Sequence, residues 1–456
     1  MAFLDPEYTK RTLTLAAPVM LTQLGQVSVN LFDNIIVGKL LGPDALASVS
    51  LGNGVFFSVF IFGLGMSLAI PPLVSEANSQ NDKKQINSIF RHGFVINMTV
   101  GFLLMLLLLA AMPLLNHMNQ PKEIIPDTIT YLTIMAFSII PFMGFQTLRE
   151  VSEGLSYTIG VTKATIIANI INIVLNYILI QGLFGFPKMG VAGSAWATFI
   201  ARVFMVVFLF LVMQKEAKTK EYLKNFSLKI SLFSKALFNK MIKIGVPTSL
   251  QMFFEVTAFA AAAFICGLVS AKDISSHQIA LSMASFTFNL CIGLGVASTV
   301  LIGNKMGERN FVELRKVGVN NIKIVFIGMI FAGLIFIVAR NILPTFFTDS
   351  SEVHVIELAS QLLIIAALFQ LSDGIQVVTL GCLRGIQDVK IPSVITFIAY
   401  WIITIPLGYY LCYIQGLGAI GMWIGLGIGL SISAVLLVKR FHDLTKRRIE
   451  NSEKYT

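Results

Sequence analysis

Apolar residues run along this chain in about twelve blocks, each closed by a short polar or basic connection. They fall near 12–37, 45–72, 92–115, 126–148, 157–182, 190–213, 241–267, 274–302, 318–343, 353–380, 391–414 and 416–438. Each offers the roughly 20 apolar residues that a helix needs to cross a bilayer, and several are long enough to tilt or project beyond it. The runs are continuous rather than alternating, so a β-barrel is excluded and the pattern predicts an all-α polytopic membrane protein.

The pattern also repeats. Pro18, Gly38 and Asp44 recur as Pro247, Gly267 and Asp273, and Gly63-Leu64-Gly65 recurs as Gly293-Leu294-Gly295. Phe145-Gln146 matches Phe369-Gln370, Gly154 and Lys163 match Gly381 and Lys390, and Gly190 and Gly193 match Gly418 and Gly421. The spacing between partners drifts only between 224 and 230 positions. Two pseudo-symmetric bundles of six helices follow, over 1–213 and 241–440, joined by a basic connector at 214–240 and followed by a tail at 441–456. Six is even, so both copies enter the bilayer from the same side, an arrangement typical of transporters.

Composition agrees with a membrane location: 55% of the 456 residues are hydrophobic and 13% charged, with a mean hydropathy of +0.79. The net charge of +10 does not point to nucleic acid, because the basic residues lie between apolar runs rather than in one patch. Alternate connections carry nearly all of them, including Lys10, Arg11, Lys83, Lys84, Arg91, the lysines from Lys215 to Lys243, Arg309, Arg315, Arg384 and the tail from Lys439 to Lys454. The positive-inside rule then places both termini and the connector in the cytoplasm. The Lys-rich connector reads as a solvated amphipathic linker. The first 21 residues lack the pattern of a cleaved signal peptide. Cys266, Cys291, Cys382 and Cys412 show no C-x-x-C spacing, so neither a disulfide framework nor a zinc site is indicated.

Within the apolar blocks, acids stand out. Glu255 lies mid-span, and Pro247, Gln251 and Glu255 recur every fourth residue on one helical face. An acid at a span centre costs roughly 2.5–3.5 kcal/mol on insertion scales, so such a group is a candidate for function. Asp373 sits between Gln370 and Gln376, each three residues away. In the first half Gln23, Gln26, Asn30 and Asp33 form a stripe with Pro18 one turn outside, and Thr165, Asn169, Asn172 and Asn176 form a second. None of the three acids has a Lys or Arg in the middle of its own block, which suggests uptake of a cation, a proton or a cationic substrate. Sodium would want hard oxygens from Glu255, Asp373, Thr257 and backbone carbonyls, whereas a proton needs only the acids; both remain open. Arg202 and Arg340 are read as structural.

The stretches VNLFDNIIVGKLLG around Asp33, SLQMFFEVTAFAAAA around Glu255 and FQLSDGIQVVTLGCLRGIQDVKIP around Asp373 resemble the NorM-type branch of the multidrug and toxic compound extrusion (MATE) family. The resemblance extends over nearly the whole chain. It implies a V-shaped monomer in a bacterial inner membrane that needs no cofactor and exports organic cations by alternating access, driven by Na+ or H+. By position, Glu255 and Asp373 would bind the coupling cation, with Na+ as the metal if sodium drives. Asp33, Asn172, Asn176 and Thr198 would form a first-half cation or proton pocket. Gln26, Asn30, Gln251, Gln370 and Gln376 would line the polar path, and Pro18 and Pro247 would act as hinges. The family's other main bacterial branch often has Asp where Asn176 stands and lacks a counterpart of Glu255.

Two other readings are weaker. A lipid-linked saccharide flippase of the same superfamily would be expected to carry a more cationic cavity, whereas acids dominate these span interiors. An intramembrane aspartyl protease would carry G-x-G-D at its second aspartate, where this chain has Ser372-Asp373-Gly374, and no H-E-x-x-H marks a metalloprotease.

Overall fold

The computed structural model describes residues 4–117, 121–224, 226–348 and 352–453. Twelve helices among them are long and apolar enough to span a membrane: α1 Pro6–Leu41, α2 Pro43–Ser79, α3 Lys83–His117, α4 Ile125–Gly154, α5 Ile159–Gln181, α6 Val191–Lys215, α7 Lys235–Val269, α8 Ala271–Gly307, α9 Phe311–Ala339, α10 Val353–Gly385, α11 Lys390–Ile414 and α12 Gly418–Glu453. There is no strand among the described residues. In hydrocarbon every backbone polar group must find its partner within the segment, so unbroken apolar runs of this length become helices. The expected tail at 441–456 is helical as far as Glu453, a continuation of α12; Lys454 lies outside the described residues.

Packing divides the chain into two compact units. One comprises residues 21–249; the other joins residues 1–20 to residues 250–456. The divisions fall within α1 and α7, two residues beyond Pro18 and Pro247 in each case, so corresponding positions of the two repeats are treated alike. In the second unit the start of α1 is tied to α9 by buried side chains: Thr12 donates to Asn321 at 2.7 Å, and Asn321 donates to Ser298 on α8 at 3.0 Å. In the first unit the start of α7 is tied to α2, with Ser249 donating to Phe62 O at 2.9 Å.

Small residues set the closest helix crossings. A Cβ added at Gly381 on α10 would lie 2.3 Å from the carbonyl oxygen of Gly295 on α8, so only glycine permits that approach. Within α11 the backbone widens into π-helical turns at Ile398–Thr404 and Tyr410–Ile414. Pro406 explains the first, since it has no N–H to donate one turn back and its ring crowds the carbonyl there.

The connector is not a solvated linker. It forms a short helix at Lys220–Lys224 and buries Thr219 and Tyr222. Arg91 on α3 donates to the carbonyls of Ser227 and Leu232, His92 Nε2 accepts from the Ser234 N–H at 2.9 Å, and Phe226 packs between Phe90 and Phe94. Burial, with the charge of Glu221 beside it, pushes the Tyr222 phenol up. Its lysines are solvated, while Phe226, Ser227, Leu232 and Ser234 dock on α3.

Candidate functional site

Two polar clusters lie inside the helical units. The first is built around Glu255, which α7 carries beyond Pro247 into an aromatic surround. Glu255 is 8% exposed and Asp373 is 4% exposed. Tyr400 on α11 donates its hydroxyl to Glu255 Oε1 at 3.4 Å and accepts from Gln376 Nε2 on α10 at 3.0 Å. Gln376 is one turn from Asp373, and the two carboxylates act on each other electrostatically. Phe259 packs at a tilt against Tyr400 at 6.0 Å and edge-on against Phe369 at 6.1 Å, and Trp401 donates to Phe254 O at 3.2 Å, fixing α11 against α7.

Among the described residues neither acid forms a salt bridge with Lys or Arg; Arg384 acts on Glu255 through its field. Asp373 Oδ1 and Gln376 Oε1 are buried with no hydrogen-bond partner. Those oxygens, together with Glu255, form an acceptor-rich, electron-dense set that suits a hard cation or a proton. Thr257 turns its hydroxyl back onto Phe253 O at 2.6 Å, within its own helix turn. No group of three or more His, Cys, Asp or Glu side chains clusters among the described residues, so a sodium ion would draw most of its ligands from neutral oxygens.

The second cluster lies in the unit of residues 21–249. Asp33 is buried on α1 and accepts from Asn176 Nδ2 on α5 and from the Thr198 hydroxyl on α6. Asn172 Nδ2 donates to Thr198 Oγ1 at 3.1 Å. The four residues expected to form a first-half pocket are therefore brought together. Of the rest of the α1 stripe, Gln23 is buried, Gln26 is half-buried and Asn30 is exposed. In the second half Gln251 and Gln370 are buried, but Gln370 donates to Met329 O on α9 at 3.4 Å, which ties it to a neighbouring helix.

Pattern reasoning missed two residues. Tyr400 lies in a span where aromatic residues are common, and only the π-turn around it, a backbone irregularity frequent at functional sites, marks it out. The second is Arg202, which lies beside the Asp33 cluster rather than apart from it.

The MatE family model matches the chain twice, over residues 18–178 and 247–410, one copy for each half. The chain belongs to the MatE family. Its members are transporters and not enzymes. This MatE chain is 33% identical over 453 residues to a probable multidrug resistance protein NorM of Agrobacterium fabrum, covering 97% of this chain and 95% of that one. It is 32% identical over 438 residues to the multidrug resistance protein NorM of Photobacterium profundum, covering 95% and 94%. Among solved structures it superimposes on an outward-facing multidrug resistance MATE family transporter with a TM-score of 0.88 at 21% identity, covering 97% and 96% of the chains. A eukaryotic MATE transporter gives 0.86 at 21% identity, covering 98% and 99%. At that identity the structures speak for the fold alone. The two family matches begin at Pro18 and Pro247, the pair that opens the repeat in the sequence.

Proposed function

We propose that this MatE transporter exports cationic and amphipathic organic compounds in exchange for Na+ or H+, and that the coupling cation is held by Glu255 and Asp373. The observation that carries this reading is the pair of buried carboxylates with no salt-bridged base and with Asp373 Oδ1 left open. Two like charges in a low-dielectric bundle are costly together, and a bound cation or proton relieves that cost. The names of the NorM relatives, multidrug resistance proteins, support organic compounds as cargo.

In this mechanism the two six-helix repeats, 1–213 and 241–440, act as lobes that give cargo access to one side of the membrane and then the other, with Pro18 and Pro247 as bending points. Cation uptake from outside favours the arrangement in which cargo is released. Linkage then requires cation and cargo to weaken each other's binding by equal factors. The distribution of basic connections supports a cell-membrane protein with both termini and the connector on the cytoplasmic side.

The test is efflux of a fluorescent organic cation from proteoliposomes under an imposed sodium gradient and then an imposed pH gradient, with wild type, Glu255→Gln and Asp373→Asn. Gradient-driven efflux in wild type that is lost in both variants supports the reading, and the effective gradient names the ion. Efflux that survives both substitutions removes the coupling site from Glu255 and Asp373. Absence of gradient-driven efflux from folded wild type, with movement of a lipid-linked saccharide instead, would replace the antiporter reading by the flippase one.

A further inference from the structure

Docking of the connector on α3 leaves a groove where α7 begins. It offers about 530 Å³ and is lined by Lys84, Gln85 and Ser88 on the first turns of α3 and by Ser234 and Lys240 where the connector passes into α7. That volume lies within the roughly 300–1,000 Å³ of small-molecule sites. Arg91 and His92 hold the connector wall in place through Leu232 O and the Ser234 N–H. All of these residues belong to the unit of residues 21–249. The apolar runs of α3 and α7 begin near 92 and 241, so the lining falls within about two helical turns of the hydrocarbon, at headgroup depth.

Charge on this surface is lopsided. Between Lys215 and Lys243 the chain carries eight lysines and only two acids, Glu216 and Glu221. On the groove itself Lys84 and Lys240 are exposed. Lys84 forms no ion pair among the described residues, and Lys240 has a long 3.7 Å contact with Glu76. Asp82, an acid on the lining, already caps α3 by accepting from the Gln85 N–H at 2.9 Å. Beside the groove in the chain, Leu228, Leu232 and Phe238 are exposed although they lie outside the apolar runs. Lysines interleaved with exposed apolar side chains are the pattern of a segment at a bilayer surface, with ammonium groups at the phosphates and apolar groups at the acyl boundary.

We propose that this groove binds the headgroup of an anionic phospholipid from the adjoining leaflet, with Lys84 and Lys240 on its phosphate and Ser88 and Gln85 donating to its ester or headgroup oxygens. Two ammonium groups give charge-assisted hydrogen bonds, and the hydroxyl and amide add neutral donors. Basic pockets between the cytoplasmic ends of spanning helices take such headgroups. A free phosphate would meet the lysines but leave Leu232 and Phe238 in water, whereas the acyl chains of a lipid cover them. A lipid so held bridges the start of α3 to the start of α7, across the point where the connector joins the repeats. Only the choice of the cytoplasmic leaflet rests on the proposed orientation; the groove does not.

The test is melting of the purified full-length protein in detergent with phosphatidylglycerol or phosphatidylcholine added at equal mole fraction. Phosphatidylglycerol should raise the wild-type Tm by about 4 °C more than phosphatidylcholine does, because it binds the folded state alone. Lys84→Gln/Lys240→Gln should lose most of that difference. Lys218→Gln/Lys220→Gln removes the same charge from exposed connector positions outside the groove and should keep it. Equal losses in the two double variants would mean diffuse attraction to charge and would overturn the site, as would a wild type with no preference for phosphatidylglycerol. A rise of the same size with inorganic phosphate would assign the groove to a free anion and overturn the lipid. Should Lys84→Gln/Lys240→Gln not fold, Lys84→Gln alone should lose about half the difference, and full retention refutes the proposal. The leaflet is tested separately with Lys84→Cys, since the native cysteines are buried. Labelling by a membrane-impermeant maleimide only after lysis supports the cytoplasmic leaflet, and labelling from outside intact cells overturns it whatever the melting shows.

Discussion

Tyr400 stands between Gln376 and Glu255, accepting from one at 3.0 Å and donating to the other at 3.4 Å. A fully buried phenol so placed holds the carboxylate at a set position relative to α10, and it can pass on a change in the charge of Glu255 to the helix that carries Asp373. Replacing Tyr400 by Phe removes one oxygen and leaves an amide donor without its acceptor. Such a loss costs about 1–3 kcal/mol in a buried site. Export is expected to fall about tenfold in Tyr400→Phe, as measured by initial efflux rates at matched protein in the bilayer. An unchanged rate would show that the hydroxyl plays no part in coupling.

The crossing of α8 and α10 gives a stability prediction with its own control. A methyl at Gly381 meets the Gly295 backbone at 2.3 Å, and neither helix can yield without moving its neighbours. Gly381→Ala should destabilise the protein by about 1–3 kcal/mol or more, the range for overpacked cores, and shift its melting in detergent accordingly. Gly54 lies mid-helix with nothing within 4 Å of the added carbon, so Gly54→Ala should melt at or slightly above wild type. Equal effects from the two would mean that this helix contact is not as close as the glycine implies.

Why these positions differ in legibility is physical. The twelve helices could be read because a bilayer punishes every unpaired backbone group, so the apolar runs leave no other structure. Glu255, Asp373 and Asp33 could be read because an acid without a nearby base is costly wherever it sits in a span. The grouping of Asn172, Asn176 and Thr198 with Asp33 came from family resemblance joined to helical spacing. Tyr400 was hidden because its partners come from two other helices, and a π-turn alters the register that spacing arguments assume. Arg202 reads as an isolated base until α6 brings its neighbour Thr198 to α1. Asn30 shares a spacing with Asp33, yet a helical stripe is wider than the buried seam, and Asn30 falls outside it.

The docking of the connector is hidden from the sequence for a related reason, since its anchors lie on α3. Arg91 alone holds two of its carbonyls with charged donors, which are stronger than neutral ones. Arg91→Ala should free the segment and speed tryptic cleavage at the exposed Lys218, Lys220 and Lys229 by roughly tenfold if undocking costs about 1.4 kcal/mol less. Time courses of limited proteolysis on membranes would measure this. Cleavage at the wild-type rate would assign the docking to Phe226 and His92 instead.

Gln370 and Gln376 lie on the same helix, three residues either side of Asp373, and the sequence treats them alike. Their contacts do not. Gln370 reaches Met329 O on α9 and lies beside Gly333, where a Cβ would come within 3.1 Å of its amide, so its side chain fills a helix crossing. Gln376 reaches Tyr400 and through it Glu255. Gln370→Ala should therefore lower stability by about 1–2 kcal/mol, through lost packing and one lost buried hydrogen bond, while leaving the cation concentration for half-maximal efflux unchanged. Gln376→Ala should raise that concentration several-fold, because Tyr400 loses the donor that orients its hydroxyl toward Glu255. Efflux titrated against the driving cation, beside melting curves of both variants, separates the two roles, and a shift in cation dependence for Gln370→Ala would place that amide in the cation site after all.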